Sequence, residues 1–255
     1  MLNIYIGHDK TQERAYRVCK YSIERHLDPA GRFISIFPID DQHPLYRRIC
    51  HEGPNGQRID TQDGKPFSTD FSFARFLVPA IQNYGGWAIF VDSDFLFLGD
   101  INELADHADV HKAVLVVKHE HRPSHGLKMD GKIQSPYPRK NWSSLILWNC
   151  GHEANRELTP EIVNHASGHF LHGFQWLDNR LIGELPAKWN HLVDYDPSYN
   201  PKHLKALHYT QGGPWFERYR NCSYADLWIA EWKRMKKEEQ WPLEASTRES
   251  LPAPL

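Results

Sequence analysis

An α/β fold, with a sheet whose strand ends carry a ligand site, is what this sequence predicts. Three observations lead there. The chain opens strand–helix–strand, the unit from which nucleotide-binding α/β sheets are built. A strongly apolar run, Trp87-Ala88-Ile89-Phe90-Val91-Asp92-Ser93-Asp94-Phe95-Leu96-Phe97-Leu98-Gly99-Asp100, reads as a buried strand holding two carboxylates one residue apart. Short apolar segments at 113–117, 142–149 and 204–209 recur between polar stretches and read as further strands. With 255 residues the chain is one large domain, or one domain with an elaborated lobe, and its core can be substantial.

Residues 2–7 form the first strand, which turns at His8-Asp9. A helix follows over 12–26, with Ala15, Val18, Cys19, Ser22 and His26 at helical spacing. Residues 32–39 read as the second strand. The polar stretch 40–65, rich in Gly and Pro, is a long loop or small excursion, and such lengths tend to be functional or mobile. Residues 67–84 read as a helix stopped by Gly85-Gly86, ahead of the strand that carries Asp92 and Asp94. The strand at 113–117 leads into polar residues 118–139. Beyond the strand at 142–149, Thr159-Pro160-Glu161 marks a helix start with Pro in the first turn. Residues 173–190 alternate aromatic and polar side chains, and 224–239 read as a terminal helix. Residues 241–255, with three prolines and no apolar period, are expected to be a disordered tail. No internal repeat is visible.

Composition narrows the function. A net charge of -2 gives no electrostatic reason to expect nucleic acid as a partner. Nine Trp and 13% aromatic residues fit stacking platforms as well as a core. No secretory signal is evident, and no apolar run reaches the roughly 18 residues of a membrane span. Cys19, Cys50, Cys150 and Cys222 are widely spaced, so the expected setting is reduced and cytoplasmic.

Asp92 and Asp94 carry the chemistry. Burying two like charges without a counter-charge is prohibitive, so a cation is expected, most simply a divalent metal. If the strand persists through both, their side chains share a face. Such a pair suits Mn2+ or Mg2+, which in turn would hold an anion such as a nucleotide diphosphate. The alternative is a turn capped by Asp. Downstream stands Leu207-His208-Tyr209-Thr210-Gln211-Gly212-Gly213-Pro214-Trp215. His208, at the end of a short strand, can offer a ring nitrogen to a metal, and Gly212 and Gly213 let backbone N–H groups approach a phosphate. A core His beside a tight turn is the other reading.

Three weaker signals stay open. His119-Glu120-His121 is a metal cluster or a solvated segment. Arg139-Lys140-Asn141-Trp142 steers an anionic acceptor or forms a solvated loop. The 224–241 helix carries Trp228, Trp232 and Met235 in a stripe, with Lys233, Lys236 and Lys237 largely off it. That stripe either packs on the domain or rests on an anionic membrane surface.

Taken together, the Asp-x-Asp strand end and the His-Tyr-x-x-Gly-Gly-Pro-Trp segment resemble the GT-A glycosyltransferases, and among them glycosyltransferase family eight and its bacterial relatives. Ile6-Gly7-His8-Asp9 with Tyr16, Phe73-Ala74-Arg75-Phe76-Leu77-Val78-Pro79, and residues 142–150 extend the similarity through most of the chain. The resemblance implies a single GT-A domain over 1–240, with a Rossmann-like mixed sheet flanked by helices. Residues 1–117 would form its nucleotide-sugar half, and 118–240 an acceptor-side lobe. It implies a metal-dependent transferase moving a hexose, galactose or glucose, from a UDP-sugar to a hydroxyl of a glycan or glycolipid, with retention.

By the same resemblance Asp92, Asp94 and His208 would be the metal ligands, with Asp92 also on the donor ribose. Asp9 and Tyr16 would hold the base, Arg75 would meet the donor sugar or its phosphate, and Gly212 and Gly213 would line the diphosphate. Gln175-Trp176-Leu177-Asp178-Asn179 matches an acceptor-side motif loosely, which makes Asp178 a candidate near the transferred sugar; Trp189-Asn190 looks like a recurring pair. One departure stands out: many relatives carry Lys just before Pro-Trp, where this chain has Gly213. That leaves a catalytically silent nucleotide-sugar or glycan-binding module as an alternative. A nucleotidyltransferase is disfavoured because Gly7-His8-Asp9-Lys10 is not glycine-rich. A location at an inner membrane surface is expected only if the terminal helix makes that contact.

Overall fold

The computed structural model describes residues 2–120, 127–128, 132–133, 139–197 and 199–248, with the side chains of 55, 127–128, 132–133 and 241–248 excluded. Strands in chain order are β1 (Leu2–Gly7), β2 (Ile34–Ile39), β3 (Cys50–Glu52), β4 (Arg58–Asp60), β5 (Pro66–Phe67), β6 (Trp87–Val91) and β7 (Phe95–Phe97). They continue with β8 (Val114–Val116), β9 (Leu127–Lys128), β10 (Lys132–Ile133), β11 (Leu145–Asn149), β12 (Ile182–Glu184), β13 (His191–Leu192) and β14 (Ala206–His208). The helices are α1 (Glu13–His26), α2 (Val78–Ile81), α3 (Pro160–His165), α4 (Gly168–His172) and α5 (Ala225–Arg248).

Six strands form the central sheet in the order β12-β8-β11-β6-β1-β2. β1 runs parallel to β2 and β6, β12 runs parallel to β8, and β11 is antiparallel to both β6 and β8. The sheet is therefore mixed. Period-two alternation assigns its faces. Phe90, Val116, Ile146 and Trp148 pack on one side with Phe76, Phe174 and Trp176. Ile89, Leu115, Leu145 and Leu147 pack on the other with Cys19 and Ile23 of α1 and with Trp189.

A second sheet, β13-β14-β7, lies against the middle of the chain, with β14 antiparallel to β7. Its Leu96, Leu207 and Tyr209 pack with Val18 of α1 and Trp228 of α5. The excursion at 40–65 builds a third small antiparallel sheet, β3-β4-β5, so it is a structured lobe and not a bare loop.

The predicted helix over 67–84 is much shorter. Residues 74–77 form a 3-10 turn that continues into α2. Thr69 and Ser72 hydroxyls bond one another at 2.8 Å, Pro79 lacks an N–H, and Asn83 and Tyr84 take positive φ of 50° and 53°. Local side-chain hydrogen bonds and Pro compete with helix there. α3 starts as expected, with the Thr159 hydroxyl accepting from Ile162 N.

α5 runs past the predicted end at 239, through Arg248, into the first part of the expected disordered tail. Trp228 and Met235 are buried and Trp232 stacks on Trp228 at 6.0 Å, beneath Arg17. The aromatic stripe faces the domain. No helix among the described residues is long and apolar enough to cross a membrane. His121 and residues 249–255 lie outside the described residues.

Candidate functional site

Asp92, Asp94 and His208 converge where β6 gives way to β7. β6 ends at Val91, so the carboxylates meet through the turn Asp92-Ser93-Asp94 and not on one strand face, as alternation had predicted. β14 pairs with β7 so that His208 stands opposite Phe95, and Tyr209 N donates to Asp94 O at 2.9 Å. That register brings the distant imidazole to the turn. One ligand atom from each of the three residues lies within 4.8 Å of the others. His208 Nε2 is 3.3 Å from Asp94 Oδ1, and these residues are 1% and 3% exposed.

The surrounding hydrogen bonds set the imidazole tautomer. Ser144 Oγ donates to Asn141 O at 2.7 Å and accepts from Asn190 Nδ2 at 2.9 Å. This turns Asn190 Oδ1 toward His208 Nδ1, 2.9 Å away, so Nδ1 carries the proton. Phe95 stacks on the ring at 4.4 Å and holds its plane. Nε2 then offers a lone pair toward a carboxylate oxygen, an arrangement that a cation between them satisfies. Two carboxylates and one imidazole nitrogen fit a divalent ion of the Mn2+ or Mg2+ kind. Asn190→Ala is expected to weaken Mn2+ binding about 10- to 100-fold, read by electron paramagnetic resonance titration. Unchanged affinity would show that Asn190 does not set the ligand.

Arg75 sits beside Asp92. Its guanidinium lies 2.7 Å from Asp92 Oδ1 and donates to Ser143 O at 2.7 Å, between the rings of Phe90 and Phe71. Its first effect is to fix Asp92. Asp9 is buried, and its carboxylate accepts from Thr11 N and Oγ1 and from Asp70 N. Tyr16 stands edge-on to His8 at 5.0 Å beside the end of β1, and burial pushes its hydroxyl up to about 12.

Gly212 and Gly213 are explained by packing. Gly212 has φ of +127°, and a Cβ there would stand 2.7 Å from the Tyr219 ring. A Cβ on Gly213 would stand 2.0 Å from the Trp215 ring. Neither glycine lines the pocket that holds Asp92 and Asp94.

Asp178 is not brought to this site. It precedes β12, whose first residue Ile182 pairs with Val114, at the end of the sheet opposite to where Asp92 emerges. Its side chain is 49% exposed, caps Arg180 N and pairs with the Arg180 guanidinium at 3.0 Å. A strand's direction, invisible in the motif, decides which end a loop occupies.

The pocket also has walls that the sequence did not assign to it, although Lys140 stood in the run read as steering an anionic acceptor or forming a solvated loop. Lys65 and Phe67 come from the excursion, Lys140 from the loop before β11, and His172 from α4. His172 pairs with Ser143 Oγ at 2.8 Å and packs against Phe76 at 5.1 Å. Burial, then the charges of Arg75, Lys140 and Arg48, hold it well below the usual imidazole value, hence neutral. Below a pH of about 6.5 the unfolded chain takes up a proton that the folded chain refuses, so stability falls with acid. His172→Gln is therefore expected to show a shallower loss of stability between pH 7 and 5 in urea unfolding. Parallel profiles would contradict a neutral His172. No local pattern places Lys65, Phe67 or His172 at the pocket; Ser143 and Ser144, which also line it, fall within the strand predicted over 142–149.

Protein CDI of Arabidopsis thaliana is 44% identical over 243 residues, covering 93% of this chain and 88% of that protein. The chain belongs to the CDI family. No protein-family model matches the chain. Among solved structures, the galactosyltransferase LgtC in complex with donor and acceptor sugar analogs superposes with a TM-score of 0.53 at 11% identity. That alignment covers 91% of this CDI-family chain and 95% of LgtC. The bifunctional glycosyltransferase WbbM gives 0.59 at 16%, over 92% of this chain and 51% of its own. GlyE of Streptococcus pneumoniae TIGR4 gives 0.57 at 14%, over 93% and 63%. The chain thus spans about half of WbbM and somewhat under two thirds of GlyE. These likenesses establish a GT-A glycosyltransferase fold for this CDI-family member.

Proposed function

We propose that this chain is a metal-dependent glycosyltransferase that moves a hexose from a UDP-sugar, UDP-galactose or UDP-glucose, to a hydroxyl of a glycan or glycolipid. The observation that carries the reading is the Asp92–Asp94–His208 cluster at a strand end of a GT-A sheet. The resemblance to family eight supports retention of configuration. A bound Mn2+ or Mg2+ would neutralise charge on the departing diphosphate.

The chain's own residues do the rest. Arg75 locks Asp92 in place, and Asn190 fixes the face that His208 presents. Tyr16, edge-on to His8 beside the end of β1, would stack on the base, and Asp9 stiffens the turn that follows β1. Arg75 and Lys140 add positive charge to the pocket that Asp92 and Asp94 also line. A reducing cytoplasmic compartment is the setting proposed from the wide spacing of the four cysteines in the sequence.

A second reading is favoured by one observation: Asp178 stands away from the pocket, so a nucleotide-sugar-binding module without turnover also fits. Donor hydrolysis measured with and without Mn2+ over a panel of nucleotide-sugars separates the two. Mn2+-dependent release of UDP supports the transferase. Mn2+-dependent binding without release supports the module, and no binding of any nucleotide-sugar contradicts both.

A further inference from the structure

Lys140 is the unabsorbed residue of the pocket. It is 3% exposed, although it sits in a loop between two polar residues, and it lines the same pocket as Asp92, Asp94 and Arg75. Backbone strain flanks it on both sides: Arg139 and Asn141 have φ of 60° and 66°. Non-Gly residues in that region cost free energy and persist where the surroundings over-determine them.

Those surroundings are specific. Arg139 donates to Gly173 O at 2.6 Å and lies over the Trp142 ring at 5.3 Å. Asn141 O receives the Ser144 hydroxyl, and Asn141 Oδ1 accepts from Thr210 Oγ1 at 3.2 Å, two residues beyond His208. The strained turn is thus fastened to the end of α4 through Arg139 and to the loop after His208 through Asn141, with Lys140 between the two anchors. The depressed imidazole of His172, which responds to Lys140 as well as to Arg75 and Arg48, is consistent with that charge facing the pocket interior.

Charge balance names the ligand. Within the pocket Arg75 and Lys140 offset Asp92 and Asp94, and Lys65 offsets Asp63. A divalent ion on the cluster leaves an excess of two positive charges, which suits a diphosphate. Gly213, turned under Trp215, has no side chain to offer. We infer that Lys140 Nζ meets the donor diphosphate and supplies the protein cation that answers its charge, an inference that rests on the transferase reading above.

The test compares wild type, Lys140→Met and Lys140→Arg by calorimetric titration with UDP and UMP in Mn2+, alongside titration with Mn2+ alone. Lys140→Met is expected to bind UDP about 10- to 100-fold more weakly, UMP less affected, with Mn2+ affinity unchanged and Arg restoring most of the loss. Unchanged UDP affinity in Lys140→Met, with or without a raised acceptor KM, overturns the inference, as does parallel loss of Mn2+ binding. A wild type that binds no UDP in Mn2+ defeats the donor reading itself, a distinct failure. Should the Met variant not fold, a wild-type crystal with Mn2+ and UDP decides: Nζ within hydrogen-bond distance of a phosphate oxygen, or turned elsewhere.

Discussion

Replacing Asp94 with Asn should lower Mn2+-dependent turnover by about 10^3-fold or more while the protein keeps its fold. A metal acting as Lewis acid is worth several kcal/mol of transition-state charge stabilisation, and each 1.36 kcal/mol is tenfold in rate. Asn keeps the volume and the carbonyl oxygen but removes the charge. The backbone contribution is untouched, because Asp94 O still accepts from Tyr209 N and β14 still pairs with β7. Circular dichroism and melting should therefore show a folded protein, and steady-state kinetics over a Mn2+ series should show the loss. Turnover that persists with unaltered Mn2+ dependence would remove Asp94 from the metal.

The largest stability effect is expected at the Arg48–Asp60 pair. Both side chains are 1% exposed. Arg48 Nε reaches Asp60 Oδ1 at 2.9 Å and its second arm reaches Oδ2 at 2.5 Å, while the third nitrogen donates to Val163 O at 2.9 Å. The guanidinium also lies 3.8 Å from the Phe73 ring centroid. One residue pair thereby ties the excursion to α3 and to the segment that carries Arg75. Removing one partner of such a pair leaves a buried charge uncompensated and costs about 3–5 kcal/mol. For a chain of this size, Asp60→Asn should lower Tm by roughly 6–20 °C, read by calorimetry. Arg48→Met with Asp60→Leu should recover much of that loss, since neither charge is then buried alone. A single variant melting with the wild type would mean that the excursion is held by other contacts.

What the sequence made legible was local and periodic. Ala15, Val18, Cys19 and Ser22 marked the buried face of α1, and Thr159-Pro160 marked the start of α3. The apolar run from Trp87 marked a central strand, although it stops at Val91 and hands the carboxylates to a turn. The metal cluster was legible as candidates because carboxylates on an apolar run and a His at a strand end each carry a physical cost. What joins them, the pairing of β14 with β7, is a non-local register that no window of sequence contains.

The errors have the same origin. Residues 67–84 look helical by apolar spacing, yet the Thr69 and Ser72 hydroxyls bond one another and the α-helix is confined to Val78–Ile81, with Pro79 in its first turn. Asp178 was assigned to the site by a motif, and the direction of β12 places it at the far end of the sheet. Arg139-Lys140-Asn141-Trp142 read as an acceptor-steering run or a solvated loop, and nothing in it announces that Lys140 is buried between two residues of positive φ.

The most direct test is an anomalous difference map from crystals grown with Mn2+ and UDP. The account predicts one strong peak bonded to Asp92, Asp94 and His208 Nε2 at about 2.0–2.3 Å, with His208 Nδ1 still on Asn190. Crystals at saturating Mn2+ with no peak there, or with the ion held by other side chains, would contradict it.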